Sequence, residues 1–228
     1  MNRKQLTVIA LALVVLAFFF LGMRAYQQRV QTAQAEQVAQ QGQRLVRPHS
    51  PVIGPANAPV TIVEFFDPAC ETCRAFYPIA KDILRQYPDE VRLVIRYAPF
   101  HPGSDQVVAL LEAARRQGKF EPVLEILLAA QPLWADHGQP RLDRVGPLAQ
   151  QAGLDMAQAE ADVQRPEVQA VLKQDVADLT ALQVNKTPTF FVNGQGLPSF
   201  GEAPLRALVA EAVAQARAQA QGHKDGAR

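Results

Sequence analysis

Apolar positions in this chain fall into three regimes. From Leu6 to Met23 they run almost unbroken, with no charge anywhere between Gln5 and Met23. Residues 24–48 then turn polar and Gln-rich, with scattered Ala and Val and no Gly or Pro before Gly42. From Pro48 onward, strand-like and helix-like periods alternate. Pro51, Gly54 and Pro55 bracket a short strand near Val52-Ile53. Val60 to Phe66 predicts a buried strand, Asp67-Pro68-Ala69 a turn, and Cys70 to Gln86 a helix whose apolar side carries Phe76, Tyr77, Ile79, Ala80, Ile83 and Leu84. Pro78 lies inside that helix and is expected to kink it. A second strand over Val91–Tyr97 completes a β-α-β unit with a right-handed crossover.

Residues 104–182 read as helical almost throughout, broken at Gly118, Pro132 to Pro140, Gly153 and Pro166. Leu110, Leu111, Phe120, Val123, Leu124, Leu127, Leu128, Leu142, Val145, Leu148 and Leu154 recur at helix spacing, so this block has its own apolar core. Trp134, the only tryptophan, is expected inside it. Thr187 to Val192 predicts a strand started by proline, Asn193-Gly194 a tight turn into Leu197–Phe200, and Ala203 to about Gln219 a terminal helix. The fold class is α/β.

The chain's 228 residues are 48% hydrophobic, enough for one medium domain with a full core besides an anchor. The organisation expected is a cytoplasmic tail over 1–4, a transmembrane signal anchor over 5–23, a Gln-rich stalk over 24–48, a folded domain over 49–222 and a flexible tail over 223–228. Eighteen residues from Leu6 approach the thickness of a bilayer core as a helix. Ala33-Gln34-Ala35, the nearest cleavage-like site, lies well past the apolar end, which favours a retained anchor over a cleaved signal peptide and leaves cleavage open. Arg3 and Lys4 argue for a cytoplasmic N-terminus, and Arg24 and Arg29 weaken that count. Net charge is +1 and the only basic cluster is Arg115-Arg116, which argues against a nucleic-acid partner.

Cys70 and Cys73 are the only thiols, and they close a Cys-Glu-Thr-Cys tetrad at the strand-to-helix junction. At the start of a helix they share one face, within reach of a disulfide. Unpaired N–H groups and the positive end of the helix dipole stabilise a thiolate at the first position, which makes Cys70 the nucleophile and Cys73 the resolving thiol. A structural disulfide across two residues closes almost no loop and adds little to folding. A zinc site would need two more ligands, and His49, His101, His137 and His223 stand at no paired ligand spacing. A redox pair is the favoured reading, with no metal and no cofactor beyond a Cys70–Cys73 disulfide.

Phe65-Phe66-Asp-Pro-Ala-Cys-Glu-Thr-Cys-Arg-Ala-Phe-Tyr-Pro78, the helical block and Lys186-Thr-Pro-Thr-Phe-Phe-Val-Asn-Gly194 together resemble the thioredoxin-fold disulfide oxidoreductases, and within them the bacterial DsbA-like branch. The resemblance spans about residues 50–215. It implies a thioredoxin fold with an inserted helical subdomain over about 104–182, an exposed nucleophile at Cys70, a resolving Cys73, and a cis-proline at Pro188 preceded by Thr187 beside the disulfide. The Thr187 backbone would pair with an extended substrate strand. With the anchor read from Leu6–Met23, it places the catalytic domain on the outer side, so that a single-pass protein of a bacterial inner membrane with its catalytic domain in the periplasm is expected.

Glu64 interrupts an apolar strand six residues before Cys70, where the resemblance places a buried acid beneath the resolving thiol. Burial would raise its pKa toward a proton-transfer range, and the alternative is an exposed carboxylate on a half-buried strand. His101 reads as a hydrogen-bonding residue at the start of the insertion rather than part of the redox site. Glu71 and Thr72 tune the motif, and the acid beside the nucleophile disfavours the thiolate, predicting a weaker oxidant than the family's strongest members.

The leading function is thiol–disulfide exchange on extracytoplasmic protein thiols or disulfides through a mixed disulfide, with a membrane redox partner that re-oxidises or re-reduces the cysteines. Within redox chemistry the alternative is a reductase or isomerase fed by a membrane electron donor. Outside it stands a client-binding or metal-binding protein of the same fold.

Overall fold

The structure, a computed structural model, describes residues 20–24, 29, 41–136 and 139–225. The chain divides into two units, residues 1–43 and 44–228. In the first, residues 20–24, 29 and 41–43 are helical; most of the expected anchor and stalk lies outside the described residues. Among those described, no helix is long and apolar enough to cross a membrane.

The second unit is built on a five-stranded mixed sheet of order β1-β3-β2-β4-β5. Its strands are β1 (Val52–Ile53), β2 (Val60–Phe66), β3 (Val91–Tyr97), β4 (Thr189–Val192) and β5 (Gln195–Gly196). Central β2 runs parallel to β3, Val60 opposite Val91 and Phe66 opposite Tyr97, and antiparallel to β4, with Glu64 opposite Phe190. The parallel pair is joined by helix α1 (Glu71–Gln86). Cys73, Phe76, Tyr77, Ala80, Ile83 and Leu84 form its buried stripe, and Glu71 in the first turn and Arg85 in the last suit the helix dipole. Pro78 sits inside it.

Between β3 and β4 come α2 (Ser104–Arg116), α3 (Phe120–Ala129), α4 (Gln131–Trp134), a 3-10 turn over Leu142–Arg144, α5 (Val145–Gln151), α6 (Met156–Val163) and α7 (Pro166–Ala181). The helical insertion therefore closely matches the expected 104–182. Pro132 stands at the start of α4 rather than in a loop, and Pro166 opens α7, positions where the missing N–H removes no helical bond. Trp134 is fully buried and its indole N–H donates to the Leu127 carbonyl.

The strands alternate strictly. Val60, Ile62 and Phe66 of β2 face the larger core, with α1, the insertion and α8 (Glu202–Asp225), while Val63 and Phe65 face a smaller core with Val94, Leu179, Val184 and Leu45. Glu64 belongs by its parity to the larger core, the side that holds Cys73. Asn193 and Gly194, both at positive φ, make the tight turn into β5. That strand is Gln195–Gly196, not Leu197–Phe200, and α8 begins at Glu202 and continues past Gln219.

The smaller core carries a buried charge network. Arg96 of β3, fully buried, donates Nε and Nη2 to Asp175 Oδ1 at 3.0 and 2.8 Å, and Nη2 to Asp178 Oδ2 at 2.8 Å. Asp175 also accepts the Tyr97 N–H and pairs with His49 Nε2, at 2.8 and 2.7 Å. Burial would raise the Asp178 carboxyl, but hydrogen bonds from Arg47, Arg96 and Gln174 hold it at about 2. Arg47 closes on Asp178 with two bonds of 2.7 and 2.6 Å, Arg96 also reaches the Arg44 carbonyl, and Leu45 is buried. The folded unit thus reaches back to Arg44, into the residues expected to be stalk.

Candidate active site

Strand β2 ends at Phe66, and the chain turns once before α1. The Cys70 N–H donates to the Asp67 carbonyl, 3.1 Å, and Cys70 sits in extended backbone, φ −77° and ψ 120°, as the N-cap of α1. Cys73 follows within the first turn, so both thiols stand at the helix end whose N–H groups lack helical partners. Both are free; Cys73 is fully buried and Cys70 retains 6% exposure. The resemblance implied an exposed nucleophile, whereas here the protein covers most of Cys70.

Their environments push the two thiols apart. A hydrogen bond from the Cys73 thiol is the main cause that lowers Cys70 to about 5; burial opposes it, and the Thr187 side chain and the N–H groups of Cys73 and Thr72 add to it. Burial first, then the bond shared with Cys70 and the charges of Glu64 and Cys70, drive Cys73 far above the usual thiol range, opposed only by the Asp67 N–H. That N–H donates to Cys73 Sγ at 3.5 Å. One thiol is an anion at neutral pH and its neighbour holds its proton. Glu71 and Thr72 are exposed, and Glu71 is not among the leading influences on Cys70.

Glu64 is fully buried, and neither of its oxygens has a hydrogen-bond partner among the described residues. Burial, then the Cys70 charge, raises it to about 8. On the far side, the Thr187-Pro188 peptide bond is cis, Pro188 is buried, and the Thr187 carbonyl lies 3.4 Å from Cys70 Sγ, an acceptor for its S–H when Cys70 is protonated. The structure thus brings Cys70, Cys73, Glu64, Thr187 and Pro188 to one place.

Two residues beside them were not singled out in the sequence. Asp67, read as turn, is fully buried; its carboxylate accepts from the N–H groups of Ala69, Phe100 and His101, from the Ser104 hydroxyl, and pairs with His101 Nδ1 at 2.8 Å. Gln131, at the head of α4, donates its side-chain amide to the carbonyls of Pro68, 2.8 Å, and Cys70, 3.1 Å. Both fix the loop that carries Cys70 against the insertion. Apart from Ala69, their partners lie more than thirty residues away in the chain, so no local pattern marks them. Among the described residues no cluster of three or more His, Cys, Asp or Glu side chains is arranged to hold a metal ion. His49 and His101 pair with Asp175 and Asp67, while His137 and the His223 side chain lie outside the described residues.

A family model described as thioredoxin matches residues 47–211. A thioredoxin-like oxidoreductase from Silicibacter pomeroyi DSS-3 is 34% identical, covers 77% of this chain and 96% of its own, and superposes with a TM-score of 0.65. The thiol-disulfide exchange protein alpha-DsbA2 from Wolbachia pipientis shares the fold at 17% identity, 79% and 96% coverage and a TM-score of 0.63. A Na(+)/H(+) antiporter NhaA from Herminiimonas arsenicoxydans is 33% identical over 159 residues, 70% of this chain but 25% of that protein. The chain therefore spans about a quarter of the length of such curated relatives. With a cysteine pair at the head of α1, a cis-proline at the start of β4 and a helical insertion between β3 and β4, the chain belongs to the thioredoxin family.

Proposed function

We propose that the chain exchanges disulfides with extracytoplasmic protein thiols through a mixed disulfide at Cys70, and that its net direction is substrate oxidation. The observation that carries this reading is the divergence of the pair: Cys70 is lowered to about 5 while Cys73 is raised far above its usual range. In the oxidising half-reaction, a substrate thiolate attacks Cys70 Sγ of the Cys70–Cys73 disulfide. The bond to Cys73 breaks, and the departing Cys73 sulfur receives the Asp67 N–H and a proton that Glu64, held near 8, can supply. A second substrate thiolate then attacks the substrate sulfur of the mixed disulfide and expels Cys70 as a stable thiolate. The substrate loses two electrons and gains a disulfide; the pair gains both electrons.

Stabilising the Cys70 thiolate stabilises the reduced pair, which makes the disulfide a better oxidant. The Thr187 backbone, beside Cys70, supports an extended substrate segment held by main-chain bonds, and hence broad protein specificity. A membrane redox partner would return the pair to its disulfide. The apolar stretch Leu6–Met23 supports anchoring of the domain at the outer face of a bacterial inner membrane.

Cys73→Ala tests the intermediate: substrate proteins should accumulate in disulfide linkage to Cys70, released by reductant, and Cys70→Ser should trap none. Unchanged activity of Cys70→Ser would leave a client-binding protein as the reading.

A further inference from the structure

His101 stands where α2 is about to begin, half-buried, and its position is doubly fixed. Its backbone N–H donates to Asp67 Oδ2 at 2.9 Å and its ring Nδ1 pairs with the same oxygen at 2.8 Å. Asp67 in turn is anchored by Ala69, Phe100 and Ser104, and its own carbonyl accepts the Cys70 N–H. A fully buried carboxylate thus holds an imidazole by one nitrogen, on the same turn that sets the nucleophile.

We propose that His101 is a positioning residue for the thiolate: held by Asp67, it places a titratable positive charge within the field of Cys70 and couples the nucleophile's ionisation to its own. The inference rests on the reading of Cys70 as the reactive thiolate. Three acidic groups face the ring: Asp67 by direct contact, Cys70, and Glu71 at the start of α1. Burial lowers the His101 pKa, and the bond and charge of Asp67, then the charges of Cys70 and Glu71, raise it above the ordinary range overall. Coupling between two sites is reciprocal, so a thiolate that favours the imidazolium is favoured by it to the same degree. Cys70 titrates near 5, where His101 is charged, so the cation is present over the whole range in which the thiolate forms.

The redox state provides the test without a substitution. The Cys70 anion exists only in the dithiol form, so oxidation removes its charge from beside the ring. Titrating the His101 ring by NMR in the full chain, dithiol against disulfide, should give a pKa higher by about half a unit or more in the dithiol form. By reciprocity, His101→Gln should slow Cys70 alkylation below its pKa by about threefold or more, and His101→Lys should restore it. Equal His101 pKa values in the two states, with Cys70 still titrating near 5, would overturn this inference alone. A Cys70 that titrates like an ordinary thiol would overturn both it and the reading on which it rests.

Discussion

The backbone N–H of Asp67 points at the Cys73 sulfur from 3.5 Å, so the turn that ends β2 delivers its one free donor to the buried thiol. Electrostatic asymmetry within the pair follows from this placement. Cys70 at the N-cap shares several donors, and Cys73 one turn deeper has burial and two negative neighbours against it. The first attacks and leaves readily; the second needs a proton when it leaves.

The reduction potential should reflect the intermediate thiolate. Reference oxidoreductases set the scale: thioredoxin's thiol titrates near 7 with a potential of about −270 mV, and DsbA's near 3.5 with about −120 mV. With Cys70 near 5, equilibration against glutathione should place this pair between those limits. A value at or below thioredoxin's would reverse the proposed direction and favour the reductase reading.

Glu64 should leave a signature in the pH dependence of stability. Its folded pKa of about 8 exceeds its ordinary 4.5, so the native state binds more protons between those values. Its contribution is complete below the ordinary value and is lost as pH rises through the folded one, a change on the order of a few kcal/mol. Cys70, lowered from 9.0 to about 5, has the opposite slope in the dithiol form, so the disulfide form removes that opposing slope and leaves Glu64 with His101, whose raised pKa acts in the same direction. Denaturant melts of the oxidised chain should therefore weaken from pH 5 to pH 8, and Glu64→Gln should flatten that decline. The same variant should slow exchange by on the order of 10²-fold if the acid moves the Cys73 proton. An unaltered pH profile in Glu64→Gln would remove its titration from the account.

Asp175→Ala separates the structural charge network from the chemistry. Removing Asp175 takes two of the four hydrogen bonds that Arg96 makes and leaves it buried, which costs about 3–5 kcal/mol. Thermal melting should register that loss while the Cys70 alkylation profile stays in place, because the network lies on the smaller-core face of the sheet. A displaced Cys70 pKa in the folded variant would contradict this separation.

Much of the site was legible in the sequence because its parts are local. A Cys-x-x-Cys at a strand-to-helix junction, an acid in an apolar strand and a proline opening a later strand each stand out within a few residues. The strands and insertion boundaries followed from period-two and helical spacing, reinforced by Gly118, Gly153 and Pro166. What escaped depends on long-range pairing. Arg96 alternates with apolar neighbours as an exposed residue would, and only Asp175 and Asp178, eighty residues on, make its burial tolerable. Asp67 carries the ordinary signature of a turn; that it gathers Phe100, His101 and Ser104 appears only when α2 is packed against β2. Residues 44–48 read as polar stalk because Leu45-Val46 is an isolated apolar pair between arginines, and its docking beside Leu179 comes from tertiary contact.

Alkylation of the reduced full chain by iodoacetamide across pH 3 to 9, with the modified residue identified by mass spectrometry, tests the central claim most directly. The account predicts that Cys70 alone reacts, with a rate that rises through a midpoint near 5, and that Cys73 stays unmodified in the folded protein. Modification of both thiols at similar rates, with midpoints near 8.5, would contradict it.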